Sequence, residues 1–300
     1  MDRPHRILVS GVSGPIGAAL LPLLRARGHS IVRLVRGTVT GGDQISWDPG
    51  RALAPEAVSG FDVVVHLAGE TIVGRWTAAK KTRIRESRVQ GTRGLAEALV
   101  KTSQHPRAFL CASAIGYYGS RGGEILREDS ARGNDFLAEV CQQWEDASKP
   151  AAAAGIRTVN TRFGVILSRD GGALPKMLPA FRMGVGGRIG DGRQWWSWIH
   201  MADVVGAMLH ILDTQTVSGA VNVVAPAPVT NAQFTRVLAC MLHRPAVFPL
   251  PAFAARLAFG EMADGLLLAS QLVEPAKLIS SGYAFQYVQL ESALSQLLKS

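Results

Sequence analysis

The chain has 300 residues, 47% of them hydrophobic, and a formal net charge of +9 from 32 Lys and Arg against 23 Asp and Glu. That length and apolar content suit one large α/β domain, or two closely joined ones, with a sizeable core. No apolar run approaches the roughly 20 residues that a membrane span requires. The charge comes without a basic tail or a nucleic-acid motif, so no nucleic-acid partner is expected; it fits a basic proteome or a pocket for anionic phosphates. Cys111, Cys141 and Cys240 are odd in number and lack metal-ligand spacing. They read as reduced thiols in a cytoplasmic protein without a metal site. The first strand begins by Arg6, so no signal peptide is expected ahead of it.

Ile7-Leu8-Val9-Ser10 is an apolar run that predicts a strand over 6–10. Gly11-Val12-Ser13-Gly14-Pro15-Ile16-Gly17 follows at once, then an amphipathic helix over 15–27 with Gly28 as its C-terminal stop. Strand, glycine-rich turn and helix is the order a dinucleotide site needs. Gly11 permits the tight turn, Gly14 lets backbone N–H groups approach a pyrophosphate, and Gly17 lets the helix pack close to the sheet. Ser13, Pro15 and Ile16 complete the predicted cradle. The helix N-terminus offers unpaired N–H groups and a partial positive charge to phosphates.

The second strand, 31–35, is followed by Arg36. An NAD-specific site usually has an acid here for the ribose hydroxyls. A guanidinium instead grips a 2′-phosphate with paired hydrogen bonds and opposite charge, so NADP is the predicted cofactor. Arg33 is a weaker second candidate, because strand alternation points it elsewhere.

Further strands are predicted at 62–67, 108–113 and 157–163, and helices at 77–100 and 134–153, the latter capped by Asn134 or Asp135. Val63-Val64-Val65 is continuously apolar, as in a parallel sheet covered on both faces. Segment 170–192 is dense in Gly and Pro, and 170–201 is predicted to form loops over the sheet's carboxyl edge that line a substrate cleft facing the nicotinamide. A helix starting at Asp203 and capped by it, a strand at 220–224 and helices at 230–242 and 252–259 complete the pattern. The expected organisation is a nucleotide-binding unit over 1–165, with 202–225 returning to it, and a mainly substrate-binding region over 166–300.

With Gly11-x-x-Gly14-x-x-Gly17, three further stretches resemble the extended short-chain dehydrogenase/reductases of the NAD(P)-dependent epimerase/dehydratase superfamily. They are Val65-His66-Leu67-Ala68-Gly69, Arg88-x-x-Gly91-Thr92 and Trp198-Ile199-His200-x-x-Asp203. Ala68-Gly69-Glu70, Arg75-Trp76, Ser113 to Gly119, Asp135 to Cys141, Gly171 to Met177 and Ser197 to His200 are similar, more narrowly, to its atypical "epimerase family" proteins. The resemblance implies a Rossmann-type doubly wound parallel sheet with a smaller C-terminal substrate-binding region. It places Leu67, Ala68 and Gly69 along the cofactor. Arg88 stands where the superfamily usually has a cofactor-side Asn, and is a candidate for the ribose or phosphate. Ser113 matches the catalytic serine.

The superfamily's Tyr-x-x-x-Lys, in which the lysine lowers the tyrosine pKa for proton transfer, has no counterpart here. The matching pair is Leu137 and Cys141, or Phe136 and Val140 in the neighbouring register. Tyr117 has Arg121 four residues later, but Gly119, Gly122 and Gly123 make that a loop. Tyr117 and Tyr118 are the replacement candidates. Trp195, Trp196 and Trp198 resemble the wall of the substrate cleft. The expected function is NADP-dependent hydride transfer on a small carbonyl, alcohol or sugar-like substrate. The rival is a non-catalytic NADP(H)-sensing or scaffold protein of the same fold. The oligomeric state is left open.

Overall fold

The computed structural model describes residues 4–299. Its first part alternates strand and helix: β1 (Arg6–Ser10), α1 (Pro15–Ala26), β2 (Ser30–Val35), β3 (Gln44–Ser46), β4 (Val63–His66), α2 (Ala78–Val100), β5 (Ala108–Ala114), β6 (Ile125–Leu126), α3 (Phe136–Ala153) and β7 (Arg157–Phe163). Next come β8 (Val165–Leu167), α4 (Leu174–Arg182), β9 (Trp195–Trp196), β10 (Trp198–His200), α5 (Met201–Asp213) and β11 (Gly219–Val223). The chain ends with β12 (Val229–Thr230), α6 (Asn231–Leu242), α7 (Ala252–Phe259), β13 (Leu272–Val273), α8 (Ala276–Ser280) and α9 (Leu290–Leu298).

Seven strands form one parallel sheet in the order β3-β2-β1-β4-β5-β7-β11. Residues 202–225 rejoin it, through β11 at the edge beside β7. One face buries Ile7, Val9, Val63 and Val65 against Leu20 and Leu24 of α1 and Val204 and Met208 of α5. The other buries Leu8, Val64 and Phe109 against Leu95 and Leu99 of α2. Burial on both faces explains the unbroken apolar strands. Chain order reverses between β1 and β4, and the crevice outside their carboxyl ends is where open α/β sheets bind ligands.

The helix ends follow from named side chains. In α1, Gly28 adopts φ +80°; the His29 N–H reaches the Leu24 carbonyl and the Gly28 N–H that of Arg25, a Schellman closure. Asp135, not Asn134, caps α3 by accepting from the Ala138 N–H. The sequence reading placed the start of α5 at Asp203 with that residue as its cap. Here α5 begins at Met201, and the His200 imidazole accepts from the Ala202 N–H. Asp203 is buried inside the first turn and accepts from the Gln286 and Tyr287 N–H groups and the Tyr283 hydroxyl. It therefore anchors the C-terminal segment.

Segment 170–192 is not all loop, because α4 lies within it. Pro175 falls in the first turn of α4, where its missing N–H is no loss. Strand β3 is too short and mixed to announce itself in the sequence.

Candidate functional site

The turn after β1 lies at the crevice. Gly11 has φ +72°, and a Cβ there would stand 2.5 Å from the Leu67 carbonyl carbon and 2.6 Å from the Ala68 nitrogen. The loops after β1 and β4 thus touch through a glycine. Gly17 acts differently from expectation: its missing Cβ would meet the Gly11 carbonyl oxygen at 2.5 Å and the Val12 Cα at 2.7 Å. It lets α1 fold back onto the turn itself, while contact with the sheet falls to Leu20 and Leu24. Gly14 is the N-cap, no side chain caps α1, and no acidic residue stands in its first turn. Ser13 and Pro15 are exposed and Ile16 is half-buried beside them. The positive end of α1 is left open to an anion.

Arg36 lies just beyond β2, exposed, with no hydrogen bond or ion pair among the described residues. Arg33 is engaged, donating to Asp43 at 2.6 Å. On the other side of the crevice, Leu67 and Ala68 are half-buried and Gly69 is exposed. Arg88 packs against Gly69, whose Cβ would be 3.3 Å from the guanidinium carbon. Its Nη1 donates to the Glu70 and Ile84 carbonyls, its guanidinium carbon lies 4.9 Å from the Trp144 ring centre, and burial pushes its pKa down. Glu70 is fixed by Lys80 at 2.6 Å and by Ser87. Hydrogen bonding from Lys80 holds its carboxyl below the usual range.

The structure turns Ser113 inward. It is 2% exposed, and its hydroxyl donates to Glu145 Oε1 at 2.7 Å. Arg162 donates to both oxygens of that carboxylate at 2.8 Å, and to the Tyr118 hydroxyl and the Glu128 carbonyl. Burial alone would lower the Arg162 pKa, but the bonds and charge of Glu145 outweigh it and hold it above its ordinary value. Tyr118 donates to Asn222 at 2.7 Å, and burial pushes its pKa up to about 12. Tyr117 is half-buried, with its ring centre 3.5 Å from the Arg162 guanidinium carbon. Leu137 and Cys141 stand against Gly116 at the end of β5. Burial pushes the Cys141 thiol up to about 12, so it stays protonated near neutral pH.

Ser113, Tyr117 and the glycine turn therefore share the carboxyl edge of the sheet, while the Ser113 proton and the Tyr117 ring are held within a buried network. Glu145 and Arg162 escaped the sequence reading. The available signal was Arg162 itself, a charge inside a buried strand that demands a carboxylate partner.

A separate apolar group packs between α2 and α3. Trp76, Ile84, Leu137, Val140 and Met262 form one buried cluster, with Ile72, Leu266 and Leu267 half-buried beside it. Residues Ala263–Leu267 form a single π-helical turn, a device common at functional sites. Among the described residues no cluster of three or more His, Cys, Asp or Glu could hold a metal ion, and no helix is long and apolar enough to cross a membrane.

Comparison with known proteins agrees with this fold. The model of the NAD dependent epimerase/dehydratase family matches residues 7–224, and a domain of unknown function, DUF1731, matches 250–297. The epimerase family protein ML0860 of Mycobacterium leprae is 39% identical over 296 residues, covering 98% of this chain and 96% of that protein. The crystal structure of human epimerase family protein SDR39U1 (isoform 2) with NADPH superposes with a TM-score of 0.90 at 35% identity, covering 98% of this chain and 99% of that one. A nucleoside-diphosphate sugar epimerase from Corynebacterium glutamicum gives 0.83 at 37% identity over 99% of this chain and 58% of its own. The chain belongs to the NAD dependent epimerase/dehydratase family.

Proposed function

We propose that this chain binds NADP(H) in the crevice between β1 and β4 and is an NADP-dependent oxidoreductase or epimerase-like enzyme acting on a small carbonyl or alcohol. The observation that carries the reading is the uncapped start of α1 beside the Gly11 contact with Leu67 and Ala68, with an unpaired arginine where an NAD site would carry an acid. Gly11, Ser13, Gly14, Pro15, Ile16 and Gly17 hold the pyrophosphate. Leu67, Ala68 and Gly69 line the cofactor, Arg36 grips the 2′-phosphate, and Arg88 contacts the ribose in place of a lysine. NADPH, when bound, supplies a hydride.

Residues 1–165, with 202–225, serve as the nucleotide unit and 166–300 mainly as the substrate side, in a protein we place in the cytoplasm. Ser113 and Tyr117 are the proposed polar contacts at the end of β5. With its hydroxyl hydrogen-bonded to Glu145, Ser113 accepts from the hydroxyl of the alcohol that forms, and Tyr117 or water supplies the proton to the carbonyl oxygen. An unassisted tyrosine titrates near ~10, which makes turnover slow.

Single-turnover decay of reduced-nicotinamide absorbance in the loaded protein tests this. Slow decay with carbonyl compounds, slower still in Ser113→Ala and Tyr117→Phe, is expected. Fast decay insensitive to both changes would place the reacting centre elsewhere. The second reading, an NADP(H) sensor, is favoured by Leu137 and Cys141 at the proton-transfer positions. It requires tight NADPH binding without decay in any variant.

A further inference from the structure

We infer that the groove between α6 and the 246–249 segment is a second ligand site, for a soluble phosphate monoester. A cavity of about 530 Å³ lies there, within the roughly 300–1,000 Å³ of small-molecule sites. Thr235, Arg236 and Ala239 line it from one face of α6, at the three- and four-residue spacing of a helix stripe. Arg188, Ala246 and Pro249 complete the lining from outside the helix. Backbone bonds fix these pieces before any ligand arrives. The Leu250 N–H donates to the Arg188 carbonyl, and the Gly190 N–H to that of Leu250. The buried Asn231 at the start of α6 accepts from the Ile189 N–H at 2.7 Å, and the Ala232 N–H donates to the Gly192 carbonyl. Gly192 permits this approach: a Cβ there would stand 2.9 Å from that of Ala232 and 3.3 Å from that of Arg188.

The polar groups of this lining lack partners. Arg188 and Arg236 are exposed, and neither guanidinium makes a hydrogen bond or ion pair among the described residues. No acidic residue lines the cavity. Thr235 is only 5% exposed, and its hydroxyl has no hydrogen-bond partner among the described residues. Hydroxyls this deep are normally satisfied, often by the carbonyl one turn back, and that bond is not made here. A ligand oxygen would satisfy it. Two fixed positive charges without a counter-acid call for a dianion, and guanidinium forks match the oxygens of a phosphate. A single carboxylate answers only one of the two charges. Ala239, Ala246 and Pro249 offer carbon surface to the rest of the ligand, so an apolar body gains by burial. The crevice between β1 and β4 contributes none of these residues, so the two sites fill independently.

The test is calorimetric titration of the full chain with phenyl phosphate, with and without excess NADPH, and with benzoate for comparison. Phenyl phosphate should bind equally in both states, and benzoate at least ~10-fold more weakly. Arg188→Gln and Arg236→Gln should each weaken phenyl phosphate about 10- to 150-fold. Arg182→Gln, at an exposed arginine outside the cavity, should leave it unchanged. Thr235→Val keeps the shape and removes the hydroxyl; it should weaken phenyl phosphate about two- to tenfold without lowering the melting temperature. No binding, displacement of phenyl phosphate by NADPH, benzoate binding as tightly, or wild-type affinity in both arginine variants would overturn the inference. Vesicles of phosphatidylcholine and phosphatidic acid should not pull the protein down; if they do while phenyl phosphate fails to bind, the phosphate belongs to a lipid headgroup and the soluble ligand falls.

Discussion

Glu145→Ala should be far more damaging than the loss of an ordinary ion pair. The side chains of Arg162 and Glu145 are 3% and 11% exposed. Truncation removes two charge-assisted bonds of 2.8 Å and the 2.7 Å bond from Ser113. The guanidinium would keep the Tyr118 hydroxyl, the Glu128 carbonyl and the Tyr117 ring, but no counter-charge. Tyr118 cannot supply one, since its pKa is pushed up to about 12. Removing one partner of such a buried pair costs about 3–5 kcal/mol, against under ~1 kcal/mol for an exposed pair of the same geometry. At roughly 2 °C per kcal/mol for a chain of this size, the melting temperature should fall by about 6–10 °C. Urea denaturation and thermal melts read this directly. Glu145→Leu combined with Arg162→Met removes both charges and should recover much of the loss. A cost below about 1 kcal/mol for Glu145→Ala, the exposed-pair value, would refute the reasoning, as would a double variant weaker than the single.

Three further outcomes are expected. Arg36→Asp should weaken NADPH about 10- to 150-fold with little effect on NADH; equal losses in paired fluorescence titrations would remove Arg36 from the 2′-phosphate. Gly17→Ala should lower NADPH affinity at least ~10-fold, because its Cβ would stand 2.5 Å from the Gly11 carbonyl oxygen and push the turn open; calorimetry showing wild-type affinity would deny the turn its role. His66 should make the fold acid-sensitive: burial lowers its pKa from 6.5 to about 4, so the unfolded chain takes the proton first. The stabilisation is fully present above pH 6.5 and is lost as pH falls towards about 4, a change of about 3 kcal/mol. Urea titrations across that window should show a shallower slope in His66→Gln, and an unchanged slope would move the effect to His29 or His200, whose pKa values are also lowered.

The parts legible in the sequence were those written in adjacent residues. The β1–turn–α1 unit needs only Ile7 to Gly28, because the turn, the open helix start and the Schellman closure are all local backbone matters. The helix predicted over 230–242 is α6; its capping box, with Thr230 and Gln233 accepting from each other's backbone N–H groups, is local too but was not read. The rest of what escaped depends on distant partners. Asp203 looked like a cap because it stands near a helix start, yet its three hydrogen bonds go to residues 283–287. Ser113 was legible as a serine at a strand end. Its engagement with a glutamate 32 residues on follows only once β5, β7 and α3 are packed together.

A dehydrogenase of this fold has two tasks, holding a hydride carrier and moving a proton, and they rest on different physical means. The first uses backbone: glycines, a helix end and one exposed arginine, none of which requires a buried charge. The second usually places an ionisable pair on the helix after the fifth strand, where α3 here carries Leu137 and Cys141, or Phe136 and Val140 in the neighbouring register. The charge that α3 does bury is Glu145, two turns inward from Leu137, and it is neutralised by Arg162 instead of being exposed to the cleft. Leu137 and Trp76 are buried in one cluster, and the missing side chain of Gly265 lets the 262–267 segment close onto them. The apolar stripe of α3 and the Glu145 carboxylate that holds Ser113 thus lie on one helix. A variant that restored Leu137→Tyr and Cys141→Lys would have to displace that segment before the pair could act.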